Sequence, residues 1–523
     1  MSAPTASGRR SEQDVETPAE PLAAVRPWTI AVGFGLVAVV VCAAGSWIPS
    51  LWGDEATTLL SAQRPVGSLL EMLTHVDAVH GLYYLLMHGW IRLAGDSAFA
   101  LRFPSAVAVG LTVAGMTLLA GRRGGPTAAV VAGVVGCVLP RLSYAGEEAR
   151  SFALTAAAAV WLTLLLVWLV DGRGRTVQAG VRRACWALYG VGLALTSVLF
   201  LYFSTLALAH LALLVATRTP RRTVRTWAVA AGAAIVSLLP LAVLAFLERS
   251  QIGYLGSEPS DPFGALYTPW FSTPWIAVVA WALIGLACGS AVRTWRRAGR
   301  GPLPFATTWV ALAWLVVPTG AMLLLNLLYP MWTARYSTFA APAAALLVAD
   351  GLLVLGRAAA GRWRLPVLAA TGAAVVAFVA VCTPTYLLQR GPYAKNDSDW
   401  AEVSAAMGAH AQPGDAVVFD EATKPSQRPR LAMHTYPDGF ASVADVTLRT
   451  PYTRSHGWAD TAYSVPTAAA LGRFDGVRRV WLVENDIDGA LSSYGRADLE
   501  AIGFEETGLT VQTHRTLLIE LTR

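Results

Sequence analysis

The sequence predicts an all-α polytopic membrane protein that carries a small C-terminal α/β domain outside the bilayer. Three observations predict it. Of 523 residues, 55% are hydrophobic and only 14% charged, with a mean hydropathy of +0.49, well outside the range of soluble globular chains. Apolar runs of bilayer length recur from about residue 28 to residue 388. Beyond about 389 the composition turns polar and charged. A net charge of +6 and a pI near 9.1 would suggest nucleic acid in a soluble protein, but the arginines fall mostly in short loops between apolar runs. The charge therefore reports topology, and no nucleic-acid partner is expected. The five cysteines (Cys42, Cys137, Cys185, Cys288 and Cys382) all sit inside apolar runs, which leaves neither a disulfide framework nor a metal-thiolate spacing.

Residues 1 to 26 have no apolar periodicity and are rich in Ser, Pro, Glu and Ala, as expected of a disordered cytoplasmic tail. The run 28 to 48 is too long for a signal peptide's apolar region and reads as an uncleaved first span. Further runs lie near 101–121, 127–146, 151–170, 227–247, 274–292, 305–328, 336–356 and 365–388, and 185–217 suits two short spans, for about eleven in all. With that count, the loops holding Arg122/Arg123, Arg173 to Arg183, Arg218 to Arg225, Arg293 to Arg300 and Arg357 to Arg364 share one side. The positive-inside rule makes that side cytoplasmic. The arginine-poor segments 49–100, 143–150, 248–273, 329–335 and everything after 389 then face outward. This divides the chain into a tail (1–26), a membrane domain (27–390) and an extracytoplasmic domain (391–523). In the last, "SDWAEVSAAMGAHA" reads as a helix, "DAVVFDE", "VRRVWLVEN" and "HRTLLIELTR" as strands, and "RADLEAIGF" as an amphipathic helix. No P-loop, dinucleotide fingerprint or internal repeat occurs, so ATP is not the expected energy source.

Ionisable groups near a bilayer are costly, and those at the outer ends of the spans are the functional candidates. Asp54 and Glu55 follow the first span in "LWGDEATT", beside the interfacial Trp47 and Trp52. Asp77 and His80 are one helical turn apart in "EMLTHVDAVHGLYYLLMHGWIRLAG", whose Tyr83, Tyr84 and Trp90 suggest a helix anchored at the outer interface. "YAGEEARSFAL" puts Glu147, Glu148 and Arg150 on the same side. Arg335, before Tyr336 in "YPMWTARYSTFAAPAAALL", is a lone cation in an outward turn and invites an anion such as phosphate.

These stretches resemble a known superfamily. "WGDEATT", "DAVHGLYYLLMHGWIRLAGDSAFALRFPSAVAVG", "GEEARSFAL" and "ARYSTFAAPAAALL", with the span pattern over 28 to about 390, are similar to the GT-C glycosyltransferases of the protein mannosyltransferase and lipid A aminoarabinose transferase superfamily, RgtA/B/C/D-like branch. The resemblance implies a GT-C fold and a sugar donor carried on a polyprenyl phosphate. The acceptor would be a glycolipid, a polysaccharide or a protein at the outer face of the membrane. It makes Asp54 the general base with Glu55 beside it, places Asp77 and His80 near the acceptor or a metal, and assigns Arg150, Arg335 and Tyr336 to the donor phosphate, with Glu148 a further candidate. Many relatives have His-Pro-Pro where this chain has Val79-His80-Gly81, which leaves open whether a divalent metal takes part. Mannose is the first expectation for the sugar, and one base opposite one leaving group implies inversion at the anomeric carbon. Two readings compete: a lipid-linked sugar transporter or flippase, and a non-catalytic scaffold that presents the α/β domain. A transporter favours ionisable groups near the midplane in matching halves, whereas here they gather at the outer ends.

Overall fold

A computed structural model describes residues 26–171, 176–256, 263–487, 490–491 and 494–523. The expected tail, apart from Arg26, and Arg173 and Arg175 lie outside the described residues. Helices form wherever the apolar runs predict them, since main-chain groups in a bilayer must be satisfied within their own segment. They are α1 Pro27–Ala43, α2 Gly53–Gln63, α3 Val66–Met72, α4 Gly81–Ala94, α5 Ala98–Val138, α6 Pro140–Gly146, α7 Phe152–Val170, α8 Ala179–Leu199, α9 Leu206–Ala216, α10 Arg221–Ser237, α11 Leu239–Leu247, α12 Gly264–Tyr267, α13 Pro274–Arg297, α14 Thr307–Asn326, α15 Ala341–Trp363 and α16 Val367–Leu388.

The 41 residues of α5 are two arms rather than one rod. Gly125 breaks the helix at φ 72°, and a Cβ on Gly136 would lie 3.0 Å from Val113, so the arms fold back on each other. Six helices are each long and apolar enough to cross a membrane, seven if the bent pair α10 and α11 counts as one, among the described residues. The chain is a multi-pass membrane protein. Its bundle core centres on α15, where Ala341 to Ala349 are buried amid α5, α13, α14 and α16. Alanine there lets the backbones approach closely, which is how helices associate where lipid offers no hydrophobic drive.

After the bundle come α17 Trp400–His410, β1 Asp415–Phe419, α18 Arg430–Thr435, β2 Val443–Asp445, β3 Leu448–Thr450, β4 Thr461–Ala462, α19 Val465–Ala470, β5 Arg479–Ile487, β6 Ala490–Leu491, α20 Arg496–Ala501, β7 Glu505–Gln512 and β8 Thr516–Thr522. The main sheet runs β2-β1-β5-β8-β7, parallel from β2 to β5 and antiparallel beyond, with β6 paired to β5. Its strands alternate between two cores. Ala416, Val418, Val480, Leu482 and Ile519 pack with Val465 and Leu499 of α19 and α20. Val417, Phe419, Trp481, Val483 and Leu518 join Trp400 and Met407 of α17 and also Leu59, Leu60, Met72, Tyr83 and Tyr84 of α2 to α4. Hydrophobic packing thus runs unbroken across residues 390 and 391. Tyr83 and Tyr84, expected as interfacial anchors, are buried instead, because the α/β domain covers them.

Candidate functional site

The site is built on the first turn of α2. Trp52 is extended at its N-cap, and Asp54 and Glu55 follow where the helix dipole favours negative charge. Neighbouring helical residues point about 100° apart, so the two carboxylates face different surroundings.

Glu55 faces inward. Its Oε1 accepts from Arg102 Nε at 2.8 Å and from the Ala149 N–H at 2.9 Å, its Oε2 accepts from Arg102 Nη2 at 2.5 Å, and both side chains are fully buried. Arg102 also donates to the carbonyls of Ser46, Pro49 and Ser50. The knot joins the start of α5, the approach to Asp54 and the loop after α6. Glu55 is fully buried in this ion pair, whereas the expectation set it beside Asp54 at the catalytic position.

Asp54 faces a partly open space, its side chain 19% exposed. Its Oδ2 accepts from Arg335 Nη1 and lies 3.9 Å from Arg150 Nε. Burial alone would raise the pKa of this carboxyl, but the charges of Arg335 and Arg150 outweigh that and hold it below its ordinary value. Arg335 is flanked by the rings of Trp52 and Tyr336 at 5.7 and 5.9 Å. The Tyr336 ring stacks on Tyr202 at 5.3 Å and packs on Phe152 and Phe200.

Arg150 bonds the Asp54 carbonyl at 3.4 Å and His80 Nε2 at 3.2 Å. A guanidinium only donates, so His80 Nε2 accepts and its proton sits on Nδ1. Burial, with Arg150 beside it, depresses His80 to a pKa of about 3, so the ring is neutral. Asp77 adopts a left-handed φ of 59° and accepts from Tyr84 Oη at 3.0 Å, with its pKa raised by burial. The next N–H, that of Ala78, donates to Glu248 Oε2 at 3.2 Å.

A divalent metal does not fit this donor set. His80 Nε2 is turned to a guanidinium, Asp54 is held by another, and no group of three His, Cys, Asp or Glu side chains among the described residues is placed to hold an ion. Glu147 is 3.4 Å from Arg390 and 3.7 Å from Lys395, both oxygens buried. Glu148 is buried beside them, its pKa raised. The structure thus brings Asp54, Asp77, His80, Arg150 and Arg335 into one neighbourhood and leaves Glu55 and Glu147 as buried ion-pair partners. Arg102, Trp52, Tyr84 and Lys395 were not singled out as site residues from the sequence. Lys395 had a signal, being one of only two lysines in the chain. Two guanidiniums thus converge on the Asp54 carboxylate next to a neutral histidine, with Asp77 also near Arg150.

No protein-family model and no curated protein matches the chain. Solved structures do. ArnT from Cupriavidus metallidurans in the apo state matches at TM-score 0.55 with 12% identity, over 94% of this chain and 97% of its own. The same protein bound to undecaprenyl phosphate matches at TM-score 0.54 with 13% identity, over the same shares. AglB, an oligosaccharyltransferase from Archaeoglobus fulgidus, gives a TM-score of 0.48 with 12% identity, over 87% of this chain and 69% of its own. ArnT is a GT-C protein, and this chain has the GT-C fold.

Proposed function

We propose that this protein is an inverting membrane glycosyltransferase that moves a sugar, mannose first, from a polyprenyl phosphate to an acceptor hydroxyl outside the membrane. The observation that carries the reading is Asp54, one partly open carboxylate set between Arg150 and Arg335 at the mouth of a GT-C bundle. Its likeness to a protein solved with undecaprenyl phosphate supports a lipid-phosphate donor.

The chemistry follows from the charges. At rest Asp54 is a weak base, because Arg335 stabilises its anion. A donor phosphate competes for the same guanidinium, and as Arg335 turns to it the proton affinity of Asp54 rises. The donor so prepares the base. Asp54 then takes the acceptor's proton, the acceptor oxygen bonds to the anomeric carbon from the face opposite the phosphate, and the bond to the phosphate oxygen breaks. The polyprenyl phosphate leaves with its charge held by Arg150 and Arg335. Asp77 and His80 line the acceptor side, and Glu55, through Arg102 and Ala149, keeps Asp54 in place.

The test is incubation of membranes with labelled polyprenyl-phosphate sugars and identification of the product that gains label. Asp54→Asn should cut transfer by about 10²–10⁴-fold while protein level and insertion hold. Near-normal turnover in that variant removes Asp54 as the base and turns attention to Asp77. Label that crosses the membrane still attached to its lipid would favour the transporter reading.

A further inference from the structure

The segment between α16 and α17 carries a fully buried lysine that the chemistry above does not use. Lys395 Nζ has no hydrogen-bond partner, lies 3.7 Å from Glu147 Oε1 and rests 3.4 Å from the centre of the Tyr144 ring. The charged groups around it are Glu147 and Glu148 from the loop after α6, Glu55 of α2 and Arg102 of α5. The other cation at Glu147, Arg390, lies 3.4 Å from Oε2 and also donates to the carbonyls of Val41, Ala44 and Tyr386, so one guanidinium and Lys395 face the two carboxylates. Lys395 is held by charge and ring contact alone, and with Arg390 it offsets two buried carboxylates in one short loop, which one cation by itself would leave unbalanced.

That loop ends in Arg150, and its main chain is already sewn to the site. Ala149 N–H donates to Glu55, Thr58 Oγ1 to the Ala149 carbonyl at 3.1 Å, and Ser105 Oγ to the Glu148 carbonyl at 2.6 Å. The segment around Lys395 also reaches the other side of Asp54: Ser50 N–H donates to the Pro392 carbonyl, and Ser398 Oγ to the Leu51 carbonyl at 2.6 Å. On the reading of the site given above, we infer that Lys395 is a positioning residue, delivered by the strap from the α/β domain, that sets Arg150 against Asp54 by neutralising the Glu147–Glu148 loop.

Without Lys395 the loop must protonate a carboxylate or shift to hydrate it, and either change moves Arg150. Misplacement of a charged group by about 1 Å costs on the order of 10²-fold in rate.

Full-length protein in lipid nanodiscs is compared as wild type, Lys395→Met and Lys395→Met/Glu147→Gln. Hydrogen exchange of the 145–152 peptide needs no substrate, and turnover with polyprenyl-phosphate mannose gives kcat and KM. Lys395→Met should speed exchange at Ala149 and Arg150 and lower kcat by about 10²-fold, with donor KM changed by no more than about threefold. Removing the orphaned carboxylate in the double variant should recover at least about tenfold of the rate and much of the protection. Wild-type exchange and kcat in Lys395→Met overturn the inference, as does a double variant no better than the single. If Lys395→Met does not accumulate in the membrane, the double variant is compared with wild type, and loss of protection there also overturns it. Wild-type protein inactive on every polyprenyl-phosphate sugar sinks the functional reading instead, and the exchange comparison still decides the role of Lys395.

Discussion

Asp54 and Glu55 are chemically alike and adjacent, yet the fold gives them opposite tasks. One helical step turns Glu55 into a closed pocket with Arg102 and leaves the partly exposed Asp54 facing two arginines. The sign of the Asp54 shift makes a prediction. Its carboxyl is held below its ordinary value, so the ion pair stabilises the protein above the unfolded carboxylate pKa of about 3.9 and is lost as pH falls through the lower, folded value. The acid limb of kcat/KM should accordingly lie below that ordinary value. In Arg335→Ala burial still raises the pKa while its strongest opponent is gone, so the limb should move upward. Donor use should weaken by about 2–5 kcal/mol, and Arg335→Lys should restore only part of it. A pH–rate profile of the two variants checks both points, and an unmoved acid limb in Arg335→Ala would detach Arg335 from Asp54.

α2 connects the bundle to the α/β domain. A Cβ on Gly53 would come within 2.2 Å of the Ser426 carbonyl, so the loop after β1 sits directly on the residue before Asp54. At the other end, Arg64 donates to the carbonyls of Ser455 and Gly457, and Tyr452 Oη donates to Gln63 at 3.1 Å. The inner face of the helix depends on Glu55 and Arg102. Glu55→Gln leaves a buried guanidinium without a counter-charge and should destabilise the protein by about 3–5 kcal/mol, whereas Glu55→Leu/Arg102→Met should recover much of that. Thermal unfolding in detergent measures it, and equal losses in both variants would mean that packing rather than charge dominates. Within the bundle, Trp227 Nε1 donates to Tyr189 Oη at 3.0 Å, Tyr189 Oη lies 2.8 Å from His210 Nδ1, and His210 Nε2 is 3.1 Å from Thr163 Oγ1. Thr163 gives its own proton to the Ala159 carbonyl, so His210 Nε2 is the donor to Thr163 Oγ1. This chain links α7, α8, α9 and α10. His210→Leu should cost only about 1 kcal/mol and leave transfer unchanged.

For the whole molecule, the arginine asymmetry predicts that the α/β domain lies outside and the arginine-rich turns inside. Arg122 and Arg123 meet Asp171 at one end of the bundle, and Arg102 meets Glu55 at the other end of the same α5 arm. A cysteine at the exposed Glu500 should react with an impermeant thiol reagent in intact cells, and one at the exposed Arg300 only after permeabilisation. The native cysteines are buried or half-buried, which keeps the background low. Protection at Glu500→Cys would invert the topology and put the Asp54 site on the wrong side for an outer acceptor.

The apolar runs, the arginine spacing and the polar C-terminal quarter determined by themselves that this is a helical membrane protein with an α/β domain, because bilayer thickness and main-chain hydrogen bonding leave few alternatives. Local pattern was also enough for α17, β1, β5, α20 and β8, whose periodicity is strong, and for gathering Asp54, Asp77, Arg150 and Arg335 at the ends of spans on one side. It was not enough for β2 or β7, which are short or exposed and take their form from the strand beside them. Only the tertiary structure decided that Glu55 is spoken for by Arg102, that Tyr83 and Tyr84 lie under a sheet rather than in lipid, and that Lys395 reaches Glu147 from 248 positions down the chain. Each of these depends on which distant side chain arrives at a buried charge or an apolar face, and a buried charge takes its role from its partner, which no local spacing specifies.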